Sequence, residues 1–143
     1  MSATPWQIAD IPGPKQAHII KPEMFPKLAK TLKRPLIVVG SRKEALEGKD
    51  IVNYIVMLAK SINSPLVVSP SFCKNFMEFE GIKVVCMGTE DLVNRLKEKE
   101  WTGFDGKGNY DSVLFVGGIY YFQSLMLSTL KHFAPHLKTF SID

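Results

Sequence analysis

Three short turns carry the residue types that could hold a phosphate. Gly40-Ser41-Arg42 follows the apolar run Leu36-Ile37-Val38-Val39. A glycine there lets the backbone turn tightly and expose N–H groups, and Arg42 would offer a planar fork of donors to a phosphate. Ser69-Pro70-Ser71 follows Leu66-Val67-Val68, and Gly117-Gly118 follows Val113-Leu114-Phe115-Val116. Each turn alone is a weak signal. A phosphate-binding turn leads directly into a helix, whereas the next helical pattern after Gly40 begins near Asp50. Neither GxGxxG nor GxxxxGK[ST] occurs in the chain,. Taken singly, Gly40-Ser41-Arg42 therefore reads as a plain turn after a buried strand. Taken together, Gly40, Ser41, Arg42, Ser69, Ser71, Gly117 and Gly118 outline a crevice with room for a ligand or a partner loop.

Other chemistry is thinly represented. His132 and His136 are four positions apart, a two-histidine metal spacing, but Pro135 between them breaks the helix that spacing needs,. The two cysteines, Cys73 and Cys86, are too few for an iron–sulfur cluster, which takes about four ligands,. Cys73 reads as a small packing residue and Cys86 as part of a buried strand. No Ser–His–Asp set or Cys–His pair follows from spacing, so no catalytic or metal-binding residue is assigned.

The turns must be positioned by a sheet. Runs at 35–39, 65–69, 83–87 and 112–116 are apolar and largely β-branched, as in parallel strands covered on both faces, and 138–142 is a last strand of alternating character,. Helical patterns lie between them. Residues 23–33 read as a short helix with Pro26 in its first turn. Residues 50–62 follow, with Asp50 as N-cap and an apolar face of Ile51, Tyr54, Ile55, Leu58 and Ile62. Residues 71–77 form a short helix. From Thr89, read as a cap, a helix runs to about Lys99 with Leu92, Val93 and Leu96 inward. The glycine- and aromatic-rich 101–111 is a loop, and 119–133 is a long helix. Strand alternating with helix predicts an α/β, doubly wound, mainly parallel sheet.

Two features point outward. Residues 1–22 hold Pro5, Pro12, Pro14 and Pro22, which bias an extended arm carrying Trp6, Ile8 and Ile11,. Such an arm rests on its own domain or on a partner. Helix 119–133 is apolar nearly all round, with Tyr121 and Leu127 among its large residues. An outer helix should keep a polar face, so a subunit interface is the preferred reading over complete burial. The organisation expected is an arm over 1–22 and one domain over 23–143.

Composition narrows the class. The chain has 143 residues, 45% hydrophobic and 22% charged, with net charge +4. Its cations are scattered without a dense basic cluster, which argues against nucleic acid. No apolar run approaches the ~20 residues of a membrane span, and no signal-peptide pattern opens the chain. Sparse cysteine fits a cytoplasmic protein.

Pro5-Trp6-Gln7-Ile8-Ala9-Asp10-Ile11-Pro12-Gly13-Pro14, Arg34-Pro35-Leu36-Ile37-Val38-Val39-Gly40 and Ser112-Val113-Leu114-Phe115-Val116-Gly117-Gly118-Ile119-Tyr120-Tyr121 resemble the epsilon-subunit family of the archaeal acetyl-CoA decarbonylase/synthase complex. The similarity runs over essentially the whole chain, and the arm is its most specific part. The resemblance implies a Rossmann-like fold of the deoxyhypusine synthase-like NAD/FAD-binding type. It implies a partner, the nickel–iron–sulfur carbon monoxide dehydrogenase alpha subunit, in a two-plus-two assembly within one-carbon metabolism and methanogenesis. In that family the clusters belong to the large subunit, and the small one either stabilises its partner or helps electrons reach FAD. Two functions are therefore carried forward. One is a non-catalytic accessory subunit, which alone would pair with itself through the arm or the apolar helix. The other is a stand-alone nucleotide- or flavin-binding protein or small oxidoreductase.

Overall fold

The computed structural model describes residues 20–40, 49–117, 120–134 and 136–142. They fall into two compact units that meet in sequence at Thr31 and Leu32. The first unit holds a 3-10 turn, Pro22–Met24, and a short helix α1, Phe25–Ala29. This helix is shorter than the sequence pattern suggests. Pro26 sits at its start, where a missing N–H is harmless,. The Thr31 hydroxyl donates to the Leu28 carbonyl at 2.6 Å, in competition with further helical turns,.

The second unit is built on β1 (Pro35–Val39), α2 (Lys49–Ser61), β2 (Leu66–Val68), α3 (Cys73–Met77), β3 (Val84–Cys86), α4 (Thr89–Leu96), β4 (Ser112–Val116), α5 (Tyr120–Phe133) and β5 (Lys138–Ile142). The five strands form one sheet in the order β3-β2-β1-β4-β5. Every pairing is parallel. The expected α/β class and parallel sheet are thus found. The chain winds from β1 outward to β3, crosses back through α4 to β4, and ends on β5. Right-handed crossovers then place α2 and α3 on one face and α4 and α5 on the other. Helix α4 packs against α5, and α2 against α3.

Burial follows from strand position. β1 and β2 are buried at every residue, because both are interior and covered on both faces,. Leu36, Val38, Val67, Val113 and Phe115 meet Leu92, Val93 and Leu96 of α4 and Met126 and Leu130 of α5 in one core. The alternate residues Ile37, Val39, Leu66, Val68 and Leu114 are equally buried and point to the other face,.

Several details differ from the sequence reading. Strand β3 is an edge, so it is only partly buried and its Cys86 is exposed. Helix α4 is capped by Gly88, with Thr89 as its first residue and no side-chain cap. Helix α2 begins at Lys49, so Asp50 lies inside it. The inward face of α2 is Val52, Ile55, Val56 and Ala59, while Ile51, Tyr54 and Met57 are exposed. Leu58 and Ile62 are half-buried. Apolar residues lie around most of α2, so the side buried is chosen by how the helix packs and not by hydrophobicity alone.

Candidate functional site

In an open parallel sheet, ligands settle beyond the carboxyl ends of the strands where the winding direction reverses. Here the reversal lies between β1 and β4. Their register pairs Val39 with Val116, so Gly40 and Gly117 emerge side by side. The Gly40 N–H donates to the Val116 carbonyl at 2.8 Å. Gly117 has φ +67°, a left-handed conformation that suits glycine,.

Ser69 follows β2 on the same edge. Its hydroxyl and that of Ser71 lie 3.0 Å apart, each able to donate or accept. The Ser69 carbonyl accepts from the Phe72 N–H at 3.0 Å, which closes the turn before α3. The structure therefore brings Gly40, Ser69, Ser71 and Gly117 to one sheet edge. Ser41, Arg42 and Gly118 lie outside the described residues, and with Arg42 goes the cation expected to face an anion.

The opposite edge holds a denser polar cluster that the sequence reading left unassigned. The Asp111 carboxylate accepts from the backbone N–H groups of Lys33 and Arg34, both at 3.0 Å, and from the Ser112 hydroxyl at 2.9 Å. The Asp111 carbonyl accepts from the Lys138 N–H at 2.9 Å. One aspartate thus joins the starts of β1, β4 and β5. Arg34 forks onto Asp105 at 2.9 and 3.2 Å and donates to the carbonyls of Gly108 (2.7 Å) and Asn109 (3.3 Å). Its guanidinium also stands 5.0 Å from the Tyr110 ring centroid.

The Arg34 hydrogen bond, with the Lys107 N–H, holds the Asp105 carboxyl well below the ordinary carboxylate range. Burial pushes the Tyr110 hydroxyl above its usual value. That hydroxyl accepts from the Phe104 N–H at 3.1 Å. Trp101, Phe104 and Tyr110 stack edge to face or tilted, with centroids 5.0 to 6.2 Å apart. Asn109 approaches His136 Nε2 at 3.1 Å. This arrangement pins the 101–111 loop. The Arg34, Asp105 and Asp111 side chains are engaged with the protein itself, so the cluster reads as structural. The signal that could have found it is a strand-leading Arg34 with two aspartates, Asp105 and Asp111, flanking a glycine-rich aromatic loop.

The two cysteines stand apart from these clusters. Cys73 opens α3, Cys86 closes β3, and they are joined as a disulfide with Cα atoms 5.8 Å apart. This corrects the reading of each as an isolated residue. They are 13 positions apart in sequence but converge because β2 and β3 are neighbours.

Of the expected interface residues, Trp6, Ile8 and Ile11 lie outside the described residues. Tyr121 lies on α5, with its side chain outside them. Leu127 is half-buried against the core. Among the described residues, α5 exposes the large apolar Leu125 (60%) and Phe133 (67%), and α2 exposes Tyr54 (67%) and Met57 (63%) together with the less exposed Ile51. The α2 face was missed because Tyr54 was read as inward and Met57 was assigned to neither face.

Comparison with known proteins resolves the family. Residues 1–143 match the family described as "CO dehydrogenase beta subunit/acetyl-CoA synthase epsilon subunit". The chain belongs to this family. It is 40% identical over 138 residues to the "Acetyl-CoA decarbonylase/synthase complex subunit epsilon" of Methanothermobacter thermautotrophicus, spanning 96% of this chain and 78% of that relative. The protein of the same name from Methanothrix soehngenii is 34% identical, with 97% and 73% spanned. "Subunit epsilon 1" of Archaeoglobus fulgidus is 35% identical, with 99% and 76% spanned. The epsilon-subunit resemblance read from the arm and the strand–glycine segments is therefore that of its true relatives.

Proposed function

We propose that this chain is a non-catalytic accessory subunit of an acetyl-CoA decarbonylase/synthase complex. Its task is to stabilise the nickel–iron–sulfur carbon monoxide dehydrogenase alpha subunit in a two-plus-two assembly. The observation that carries this reading is the family match over residues 1–143, with relatives named as subunits of that complex. The exposed Tyr54 and Met57 on α2 and Leu125 and Phe133 on α5 support it, because large apolar side chains held in water favour association,. Interfaces draw most of their affinity from a few such anchors. The arm, with Trp6, Ile8 and Ile11, is the third contact element in this reading, beside a domain over 23–143.

Co-expression with an affinity-tagged alpha subunit tests it. The wild-type chain should be retained and should lengthen the half-life of carbon monoxide oxidation on warming. A chain that washes off, or leaves that half-life unchanged, overturns the accessory role.

A second reading concerns the sheet edge. The strand order 3-2-1-4-5 matches the first five positions of the six-stranded 3-2-1-4-5-6 order of dinucleotide-binding sheets, which supports this reading,. A FAD or nucleotide would lie across Gly40, Ser69, Ser71 and Gly117, with Ser41, Arg42 and Gly118 completing the site. Electrons from the partner would then reach the flavin there. Titration of the assembled complex and of the free chain with FAD and NADH separates the cases. Saturable flavin quenching supports the site, and unchanged signals to millimolar concentration refute it.

A further inference from the structure

We propose that Cys73 and Cys86 form a thiol-responsive latch that fastens α3 to the end of edge strand β3. This inference stands on the fold alone and does not depend on the partner or ligand assigned above. The bond spans two of the shorter elements of the sheet unit. α3 is five residues long, and β3 is three residues long and, among the described residues, pairs with β2 alone. Short elements at an edge have few hydrogen bonds of their own and open most readily. A covalent tie there governs local order far more than the same tie in the core would.

The two sulfurs are also unequally placed. Cys73 is 5% exposed, whereas Cys86 is an exposed residue at the strand end. A small thiol from solvent therefore meets Cys86 first. Its thiolate attacks Cys86 Sγ, the Cys73–Cys86 bond breaks, and Cys73 leaves as a thiolate that takes a proton from water. A second thiol then attacks its fellow in the mixed disulfide and frees Cys86. In sum, two small thiols become one small disulfide, and the protein disulfide becomes two thiols. Two electrons and two protons pass to the protein.

The latch acts on the candidate crevice. Cys73 follows the Ser69–Ser71 turn by two residues. Cys86 is the register partner of Val68, the residue before Ser69. Opening the bond frees the segment from that turn through α3 to β3, while the β1–β4–β5 side keeps its own ladder and the Asp111 and Arg34 clamp.

The test uses the full wild-type chain equilibrated in glutathione buffers from fully oxidised to fully reduced. Alkylation with iodoacetamide, read by intact mass, should label no cysteine at the oxidised end and two at the reduced end, reversibly. Hydrogen exchange should quicken across 69–88 on reduction and stay unchanged across 112–116 and 138–142. The Tm should fall by roughly 5–10 °C, as expected for opening a loop of this length in a chain of this size. Cys86→Ser should match reduced wild type and be insensitive to glutathione. Two labelled cysteines in the oxidised chain, a bond that millimolar glutathione leaves intact, or exchange across 69–88 that ignores reduction would each overturn the latch. These wild-type readouts decide the matter even if the variant fails to fold.

Discussion

Asp111 shows how much one side chain can organise. Its two carboxylate oxygens cap the N–H groups that open β1, and its main chain bridges to β5. Asp111→Ala would leave those donors without their partner and should cost about 1–3 kcal/mol, read as a lower denaturant midpoint. Gly103 is constrained differently. It sits at φ +76°, and a Cβ there would come 2.6 Å from the Gly108 carbonyl oxygen. Gly103→Ala must shift backbone, so it should destabilise by about 1–3 kcal/mol. Asp105 supplies a pH signature. Its folded-state pKa is depressed by the Arg34 hydrogen bond. The stability it contributes is therefore present above the unfolded carboxylate value near 4 and is lost as pH falls from there through the folded value. Acid unfolding of Asp105→Asn should be shallower below about pH 4 than that of wild type. Identical acid limbs would show that this exposed pair contributes nothing measurable.

Among the elements, α2 and α5 each present apolar residues to solvent. Tyr54→Ser with Met57→Ser, or Leu125→Ser with Phe133→Ser, should change the stability of the free chain by no more than about 0.5 kcal/mol per site, since these side chains are outside the core,. Retention on the alpha subunit should fall at least tenfold for the pair that forms the contact. Leu130→Ala is the contrasting control. Leu130 is fully buried, and its truncation should cost about 2–5 kcal/mol,. Element type was legible in the sequence because buried parallel strands are short β-branched runs, and they surfaced at β1, β2 and β4 almost to the residue. Helix facing was not. α2 carries apolar residues around most of its circumference, so periodicity alone could not say that Val52, Val56 and Ala59 would meet the sheet while Ile51 and Tyr54 stayed out. The cap of α4 shifted for a similar reason, since Gly88 and Thr89 are both acceptable starts.

At the scale of the molecule, the five strands among the described residues bring turns from distant sequence to one edge and a polar clamp to the other. The free chain, with two cysteines that are tied to each other, should bind no stoichiometric nickel or iron and should not oxidise carbon monoxide. About one equivalent of either metal in the pure chain, by elemental analysis, would refute this.

The sequence by itself determined the class of fold and the family. Strand runs, their glycine stops and the alternation with helices are local patterns that solvent exclusion makes necessary, and the arm is distinctive as text. Only the tertiary structure decided which residues meet. Gly40 lies beside Gly117, and Arg34 beside Asp105, because β1 pairs with β4 across more than seventy residues of chain. Cys73 reaches Cys86 because β3 was sent to the edge next to β2. Strand order is set by the summed packing of both sheet faces, a property that no local window contains.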